Sequence, residues 1–384
     1  MAVKISNSGI NQWTTCPKSY EIKYVNKIHP KYRGSALFFG SAIDATLNFV
    51  LAEYKKINDN VKLIDAAIKI FDAQWEQQED RYFGTIDLPK NEFILYSKYD
   101  FDADMLEKSD WDELYTLSDE PIQKFDYIAD TLKHTDFSEL SSENRMFYNF
   151  CNWLALKRKA RHMIHAYVAD LLPNIEEVLE VQMNLDTEDD SGNKLTGVAD
   201  FVCKLKPGVY GKVTLMEAET VIPDNKTSSM DYDEDSVETS AQLTKYKVIL
   251  NEKHGYNITK GAYFVIGKKF KKEKTKTCKS CGHVSSGSHK TCDAMLGGVK
   301  RCGGEWNIVT RIIVPTQIIV QEIPEIFTNI VMENVDAIVK VIAAGAFPRN
   351  FNACSNQFGK PCQYFNYCHK NSMQDLVQVK DKKG

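Results

Sequence analysis

KLTGVADFVCKL (residues 194–205), followed across a turn by ETVIPDNKTS (219–228), decides how this chain is read. Both segments are rich in β-branched and aromatic residues and are bounded by Gly, Pro and Asn, so both are strands. In the first, Asp200 stands three positions after Gly197 and shares a period-two face with Val198 and Val202. In the second, Asp224 and Lys226 are two apart and share one face of an extended segment. If the two strands are neighbours, two carboxylates and an ammonium converge. Such a set suits metal-assisted hydrolysis of a phosphodiester. Hard carboxylate oxygens hold Mg²⁺ or Mn²⁺, the cation polarises a phosphate and acidifies a bound water, and the lysine orients that water or offsets the charge developing on phosphorus. An Asp-x-Lys triplet alone is common on solvated strands; order and strand context give this one its weight.

The flanking segments fit an α/β fold. EEVLEVQMNLD (176–186) alternates, with Leu179, Val181, Met183 and Leu185 on one face and Glu180, Gln182 and Asn184 on the other. VTLMEAETVIPDNKT (213–227) reads as one returning strand. SVETSAQLTKYKVILNEKHG (236–255) reads as a helix capped by Ser236 and closed by Gly255. On it Gln242 and Tyr246, four apart, share a face and can position a phosphate or the nucleophile. KGAYFVIGK (260–268), WNIVTRIIV (306–314) and TQIIVQEI (316–323) are further strands. Helices are expected over 41–55 with Ser41 as cap, over 61–80, from 142 to Pro173, and over 325–344. Three sequential strands form a meander and the next requires a helical crossover, giving a central mixed sheet flanked by helices. The expected divisions are 1–55 with the first core helix, a helical insertion over 56–172, the motif-bearing core over 173–267, a basic arm and cysteine-rich insertion over 268–305, remaining core strands and helix over 306–370, and a tail over 371–384.

At 384 residues, 43% hydrophobic and 26% charged, the composition is that of a soluble globular protein, and no run approaches a membrane span. The first residues lack a basic segment followed by an apolar one, so no secretion signal is expected. The ten cysteines are then metal ligands or core residues rather than disulfides. A net charge of −4 gives no global attraction to nucleic acid but leaves room for a local patch. GKKFKKEKTKTCK (267–279) is such a patch, through Lys268, Lys269, Lys271, Lys272, Lys274, Lys276 and Lys279, unless it is a solvated charged loop. It runs into a C-x2-C knuckle, Cys278 and Cys281, which Cys292 and Cys302 can complete as a Cys₄ zinc ribbon. His283 and His289 are alternative ligands there, and a loop with incidental thiols is the bland reading. Cys151 and Cys203 read as core residues. NACSNQFGKPCQYFNYC (352–368) adds Cys354, Cys362 and Cys368, one thiolate short of a four-cysteine centre.

GSAID (40–44), GVADF (197–201), DNKTS (224–228) and AQLTKY (241–246), in this order, resemble the motifs of the PD-(D/E)XK nuclease superfamily. The likeness is to its RecB-like exonuclease branch, which includes the AddB nuclease domain and the CRISPR-associated, cluster-containing exonucleases. It covers roughly residues 1–50 and 175–370, leaving the helical insertion and the lysine arm outside. The resemblance implies a restriction-endonuclease-like core in which Asp200 and Asp224 bind the divalent metal, Lys226 is the catalytic lysine, and Gln242 with Tyr246 forms the accessory motif. Asp44 stands where the family has a histidine and would supply a further Mg²⁺ or Mn²⁺ ligand. Where the family often has an acidic residue on the preceding strand, this chain has Gln182, with Glu180 two positions earlier. Pro223 points to a strand end or bulge just before Asp224.

Iron–sulfur members of the family use one cysteine ahead of the core and three after it, which implies a 4Fe–4S cluster on Cys16, Cys354, Cys362 and Cys368. Tyr364, Phe365 and Tyr367 would give it an apolar shell. Ligand type alone leaves a Cys₄ zinc site open there. The resemblance further implies a DNA exonuclease acting on ends or single strands in repair, recombination or phage DNA processing, with Lys268, Lys269, Lys271 and Lys272 on the DNA. A helicase or recombinase is the partner this suggests, in the cytoplasm of a bacterial or phage-infected cell and with no membrane role. Two other readings stay open: a catalytically silent DNA-binding scaffold, favoured by Asp44 and Gln182, and an RNA-directed nuclease.

Overall fold

The computed structural model describes residues 3–30, 35–77, 142–188, 192–228, 232–233, 235–285, 289–296, 300–355, 361–374 and 376–379. Most of the expected helical insertion, residues 78–141, lies outside the described residues, as do the side chain of Cys151 and the last five residues of the tail. In chain order the elements are β1 (Lys4–Ser6), α1 (Asn7–Thr15), α2 (Pro17–Tyr20), β2 (Ile28–Pro30), α3 (Ser35–Glu53), α4 (Asn60–Gln77), α5 (Ser142–Ala166), β3 (Ile175–Glu188) and β4 (Lys194–Leu205). Then come β5 (Gly208–Tyr210), β6 (Val213–Leu215), β7 (Glu219–Ser228), α6 (Asp235–Glu238), α7 (Ala241–His254), β8 (Lys260–Gly267), β9 (Lys271–Cys278), β10 (Val284–Ser285), β11 (Met295–Leu296) and β12 (Lys300–Arg301). The chain continues with β13 (Trp306–Ile313), β14 (Thr316–Glu322), α8 (Glu325–Ala343), α9 (Phe365–Lys370) and β15 (Leu376–Gln378).

The central sheet is mixed and runs β1-β4-β7-β8-β14, with β3 on the other edge of β4. The meander β3–β4–β7 is antiparallel, and α7 carries the chain over to β8, which lies parallel to β7. Helices cover both faces. Phe201, Cys203, Leu205, Ala262, Phe264 and Ile266 pack under α3, α4 and α5. Ala199, Ile222, Tyr263 and Val265 pack under α7 and α8. On β8 the two sets alternate residue by residue, as a strand buried on both faces requires. Among the described residues no helix is long and apolar enough to cross a membrane.

Several local expectations change. The helix expected over 41–55 begins at Ser35, because Phe38 and Phe39 are buried and extend its apolar stripe; Ser41 lies inside it. The segment 213–227 is two strands, β6 and β7. The helix expected to start at Ser236 is broken, and Ser240 caps α7 by accepting a hydrogen bond from the Leu243 amide, while Gly255 closes it at φ 71°. β13 pairs with β9, not with the core sheet, so only β14 returns to the core. On β3, Leu179, Met183 and Leu185 pack toward α7, but Val181 packs toward α3. Gln182, at φ 52°, and a register shift near Glu180 switch the alternation there.

The approach of α7 to the sheet is set by Gly197. A Cβ at this position would stand 2.5 Å from a Tyr246 ring carbon, and Tyr246 is itself buried. Gly197→Ala is therefore expected to destabilise the protein by ~1–3 kcal/mol in urea unfolding through overpacking. Adding Tyr246→Ala should recover part of that loss; equal costs in both backgrounds would mean that the ring does not set the distance.

Candidate active site and cysteine centres

The site begins with a break in strand pairing. β4 pairs with β1 through Lys194–Thr196 and with β7 only through Cys203–Leu205. Between these stretches, among the described residues, Gly197–Val202 has no strand on that edge. The Asn225 amide, which points toward β4, donates instead to the Asp200 carboxylate at 3.0 Å. Amides two apart in a strand point the same way, so the nitrogen of Pro223, which carries no proton, also faces this gap. The strand end or bulge expected at Pro223 is thus corrected: β7 runs through it in unbroken register with β8, and what ends is its ladder to β4.

Asp224 is 5% exposed, and its carboxylate is ion-paired with the Lys226 ammonium. Gln242 Nε2 donates to Asp224 Oδ1 at 3.1 Å. Lys226 Nζ lies 5.2 Å from the centre of the Tyr263 ring, a cation–π contact. Burial raises the Asp200 carboxyl to about 7, helped by Asp224 and Asp44 and opposed by the Asn225 amide and Lys226. Burial also raises Asp44, with Asn48 opposing as a hydrogen-bond partner and Asp224 adding to the rise. Asp224 is raised by burial against the pull of Lys226 and Gln242. Burial would lower Lys226, but Asp224 more than offsets it and keeps the ammonium charged. The fold thus brings Asp44, Asp200, Asp224, Lys226, Gln242 and Tyr246 into one neighbourhood. Glu180 and Gln182 are exposed, and the Glu180 charge acts on Tyr256 rather than on these carboxylates.

Asn48, Asn225 and Tyr263 are members of this neighbourhood that the sequence reading missed. Asn48 was visible as the residue one turn beyond Asp44. Tyr263 became visible only with the register that sets it opposite Asp224.

The hard oxygen donors and the mutual repulsion of three carboxylates, only part of which Lys226 offsets, fit a divalent cation. The carboxylates are nevertheless not drawn together to single-ion spacing. Among the described residues one group is: the ligand atoms of Cys278, Cys281, Cys292 and Cys302 all lie within 4.8 Å of one another, so these four can hold a metal ion. The Cys278–Cys302 and Cys281–Cys292 sulfurs are 3.6 Å apart. Gly304 permits this approach, since a Cβ there would stand 2.8 Å from the Cys278 sulfur. His283 and His289 are outside the group; the His283 ring faces Trp306, and His289 pairs with Asp293 at 3.3 Å. The lysine arm is strand β9 rather than a loop. Lys268 lies over the Phe39 ring at 5.6 Å, Lys269 and Lys271 are exposed, and the side chain of Lys272 lies outside the described residues.

Cys16, Cys354, Cys362 and Cys368 line a single pocket together with Arg349 and His369. Lys18 N–H donates to the Pro348 carbonyl at 3.2 Å, and Asn350 Nδ2 donates to the Thr15 carbonyl at 2.9 Å, which brings Cys16 to the later cysteines. Tyr364 is fully buried against Ile22, Ile28 and Leu376, and Phe365 also lines the pocket; Tyr367 packs on that small core instead. The expected tail contributes β15, which pairs with β2. Cys203 is buried, and burial raises its thiol.

No protein-family model matches the chain, and no curated protein is detectably similar to it.

The raised carboxyls define a pH window. A carboxyl at about 7 in the folded metal-free protein and ~3.9 unfolded stabilises fully below the unfolded value and loses that contribution as pH rises through about 7. Metal-free protein should therefore lose thermal stability between roughly pH 4 and 7 more steeply than its Asp200→Asn variant. Mg²⁺ or Mn²⁺ should restore the wild type above that range and leave Asp200→Asn less affected. Parallel pH profiles for the two proteins would contradict the carboxylate repulsion.

Proposed function

We propose that the chain is a divalent-metal-dependent deoxyribonuclease with a PD-(D/E)XK core of the RecB-like exonuclease branch. The observation that carries this reading is the meeting of Asp200, Asp224, Lys226 and Gln242 where β4 and β7 part. Asp200 and Asp224, with Asp44 from α3, would hold Mg²⁺ or Mn²⁺. When bound, the cation supplies phosphate polarisation and a water of lowered pKa. The remaining work falls to the chain. Lys226 keeps its proton beside Asp224 and offers its ammonium to the attacking water or to charge on the phosphate. Gln242 fixes the Asp224 carboxylate, and Tyr246 fixes the distance between α7 and the sheet. DNA is the substrate this branch implies, at ends or single strands, with the exposed Lys269 and Lys271 beside its phosphates. A setting in phage DNA processing or repair, with a helicase or recombinase, follows from the same branch.

Asp200→Ala or Asp224→Ala should cut cleavage of end-labelled DNA by at least ~10³, because metal binding and water activation are lost together. Lys226→Ala should cost nearly as much while still binding Mn²⁺; Gln242→Ala and Tyr246→Phe should be milder, and Asp44→His should stay active. Wild-type protein silent with every divalent metal would favour the DNA-binding scaffold instead.

In the same reading Cys278, Cys281, Cys292 and Cys302 form a zinc ribbon, since tetrahedral zinc with bonds of ~2.3 Å draws its sulfurs this close. Cys16, Cys354, Cys362 and Cys368 hold a 4Fe–4S cluster. That these four cysteines from the two ends of the chain line one pocket supports this. Anaerobically purified protein should be brown, absorb near roughly 400 nm, and carry one zinc. Cys368→Ala should remove the colour and keep the zinc. A colourless, folded protein with two zinc ions per chain would replace the cluster by a second zinc site.

A further inference from the structure

The cysteine module carries an open groove of about 390 Å³ that the catalytic reading leaves unused. Trp306 opens β13 opposite Cys278, and Ile308 follows on the same face opposite Lys276. Trp306 Nε1 donates to the His289 carbonyl at 3.0 Å, and Lys276 Nζ donates to the same oxygen at 3.1 Å, so the indole is held in place on the groove wall. Ile308 is 53% exposed beside it. Lys290 lines the groove too. The acidic lining residue, Glu305, is ion-paired with Lys279 at 3.0 Å. The Lys276 hydrogen bond goes to a neutral carbonyl, which leaves its positive charge uncancelled by that partner. The result is an aromatic and aliphatic wall with cationic neighbours.

We infer that this groove binds single-stranded nucleic acid, with an unpaired base stacked on Trp306 and flanking phosphates near Lys276 and Lys290. The polymer class rests on the nuclease reading; the preference for a single strand rests on the groove. An aromatic ring can take a base face only where the base is unstacked, which a duplex does not offer. A phosphate backbone complements the lysines at little cost in sequence specificity. The location also fits. β8 ends at Gly267, in register with Ser228, two residues past Lys226, so the module leaves the sheet from the end of β8 that lies beside the catalytic lysine. A strand gripped at Trp306 is thereby held by an element rooted next to the active site.

The test is fluorescence anisotropy of a labelled oligothymidylate and of a blunt duplex, without divalent metal, over a salt series. Wild type should prefer the single strand. Trp306→Ala should weaken it by at least ~5-fold, whereas Trp306→Tyr, which keeps a ring, should bind close to wild type. Lys290→Ala should reduce the salt slope by ~0.7, the share of one phosphate on a single strand. Zinc content reports whether the module stays folded; if Trp306→Ala loses zinc, Trp306→Tyr and Lys290→Ala carry the test. Wild-type affinity in Trp306→Ala, an unchanged salt slope in Lys290→Ala, or a preference for duplex overturns the proposal. Trp306-dependent binding without any metal-dependent cleavage would instead retain this groove and sink the nuclease reading.

Discussion

The arrangement depends on one backbone hydrogen bond that leaves the strand ladder for a side chain. β4 and β7 stop pairing after Cys203 and Val221, and a strand edge released inside a protein must find other partners for its amides. The Asn225 amide finds the Asp200 carboxylate. Pro223, whose nitrogen faces the same gap, has no amide to satisfy. Several parts of the candidate site follow from this parting of strands. It frees Asp200 from the sheet edge, it leaves room beside Gly197 for the Tyr246 ring, and it lets α7 bring Gln242 down onto Asp224.

Such a site is costly to the apo fold. Burial raises all three carboxyls, Asp224 and Asp44 add to the rise of Asp200, Asp224 adds to that of Asp44, and a single ammonium offsets part of the charge. Gln182, directly across β3 from this stretch, adopts a left-handed conformation that a non-glycine side chain disfavours. Local cost of this kind persists where the surrounding packing over-determines the geometry. Here the sheet is sealed on both faces by separate apolar layers, one under α3, α4 and α5 and the other under α7 and α8. Those layers fix the strands and helices from which the three carboxyls project.

What could be read from sequence alone was local. Asp224 and Lys226 are two apart on a strand, Gln242 and Tyr246 four apart on a helix, and those periodicities fix shared faces before any tertiary contact is known. The four-cysteine group was legible from its C-x2-C start, although the wide gap from Cys292 to Cys302 is closed by backbone bonds, Cys302 N–H to Ala294 O and Gly303 N–H to Cys292 O, that no spacing rule reveals. What escaped is what pairing decides. Tyr263 joins the site only because β8 lies beside β7, and β13 joins β9 although its apolar run reads like a core strand. The facing of Val181 depends on a left-handed residue and a register shift, and neither leaves a mark in the hydrophobic pattern.

The two cysteine groups differ in how the chain brings them together. Cys278, Cys281, Cys292 and Cys302 are gathered within one stretch of chain, where the β9–β13 ladder and a glycine at 304 let backbone and sulfur meet. The pocket of Cys16, Cys354, Cys362 and Cys368 is assembled from segments far apart in sequence, yet bonds free of sulfur already draw them together. Lys18 and Asn350 join the flanking backbones, β2 pairs with β15, and Tyr364 anchors a small core whose hydroxyl donates to the Ile28 carbonyl at 3.4 Å. Much of the loop-closure cost is therefore met by protein contacts before a cofactor is bound. A cofactor in that pocket would add to a closure that is largely formed, whereas a metal held by Cys278, Cys281, Cys292 and Cys302 would tie together thiols that the β9–β13 ladder already brings close.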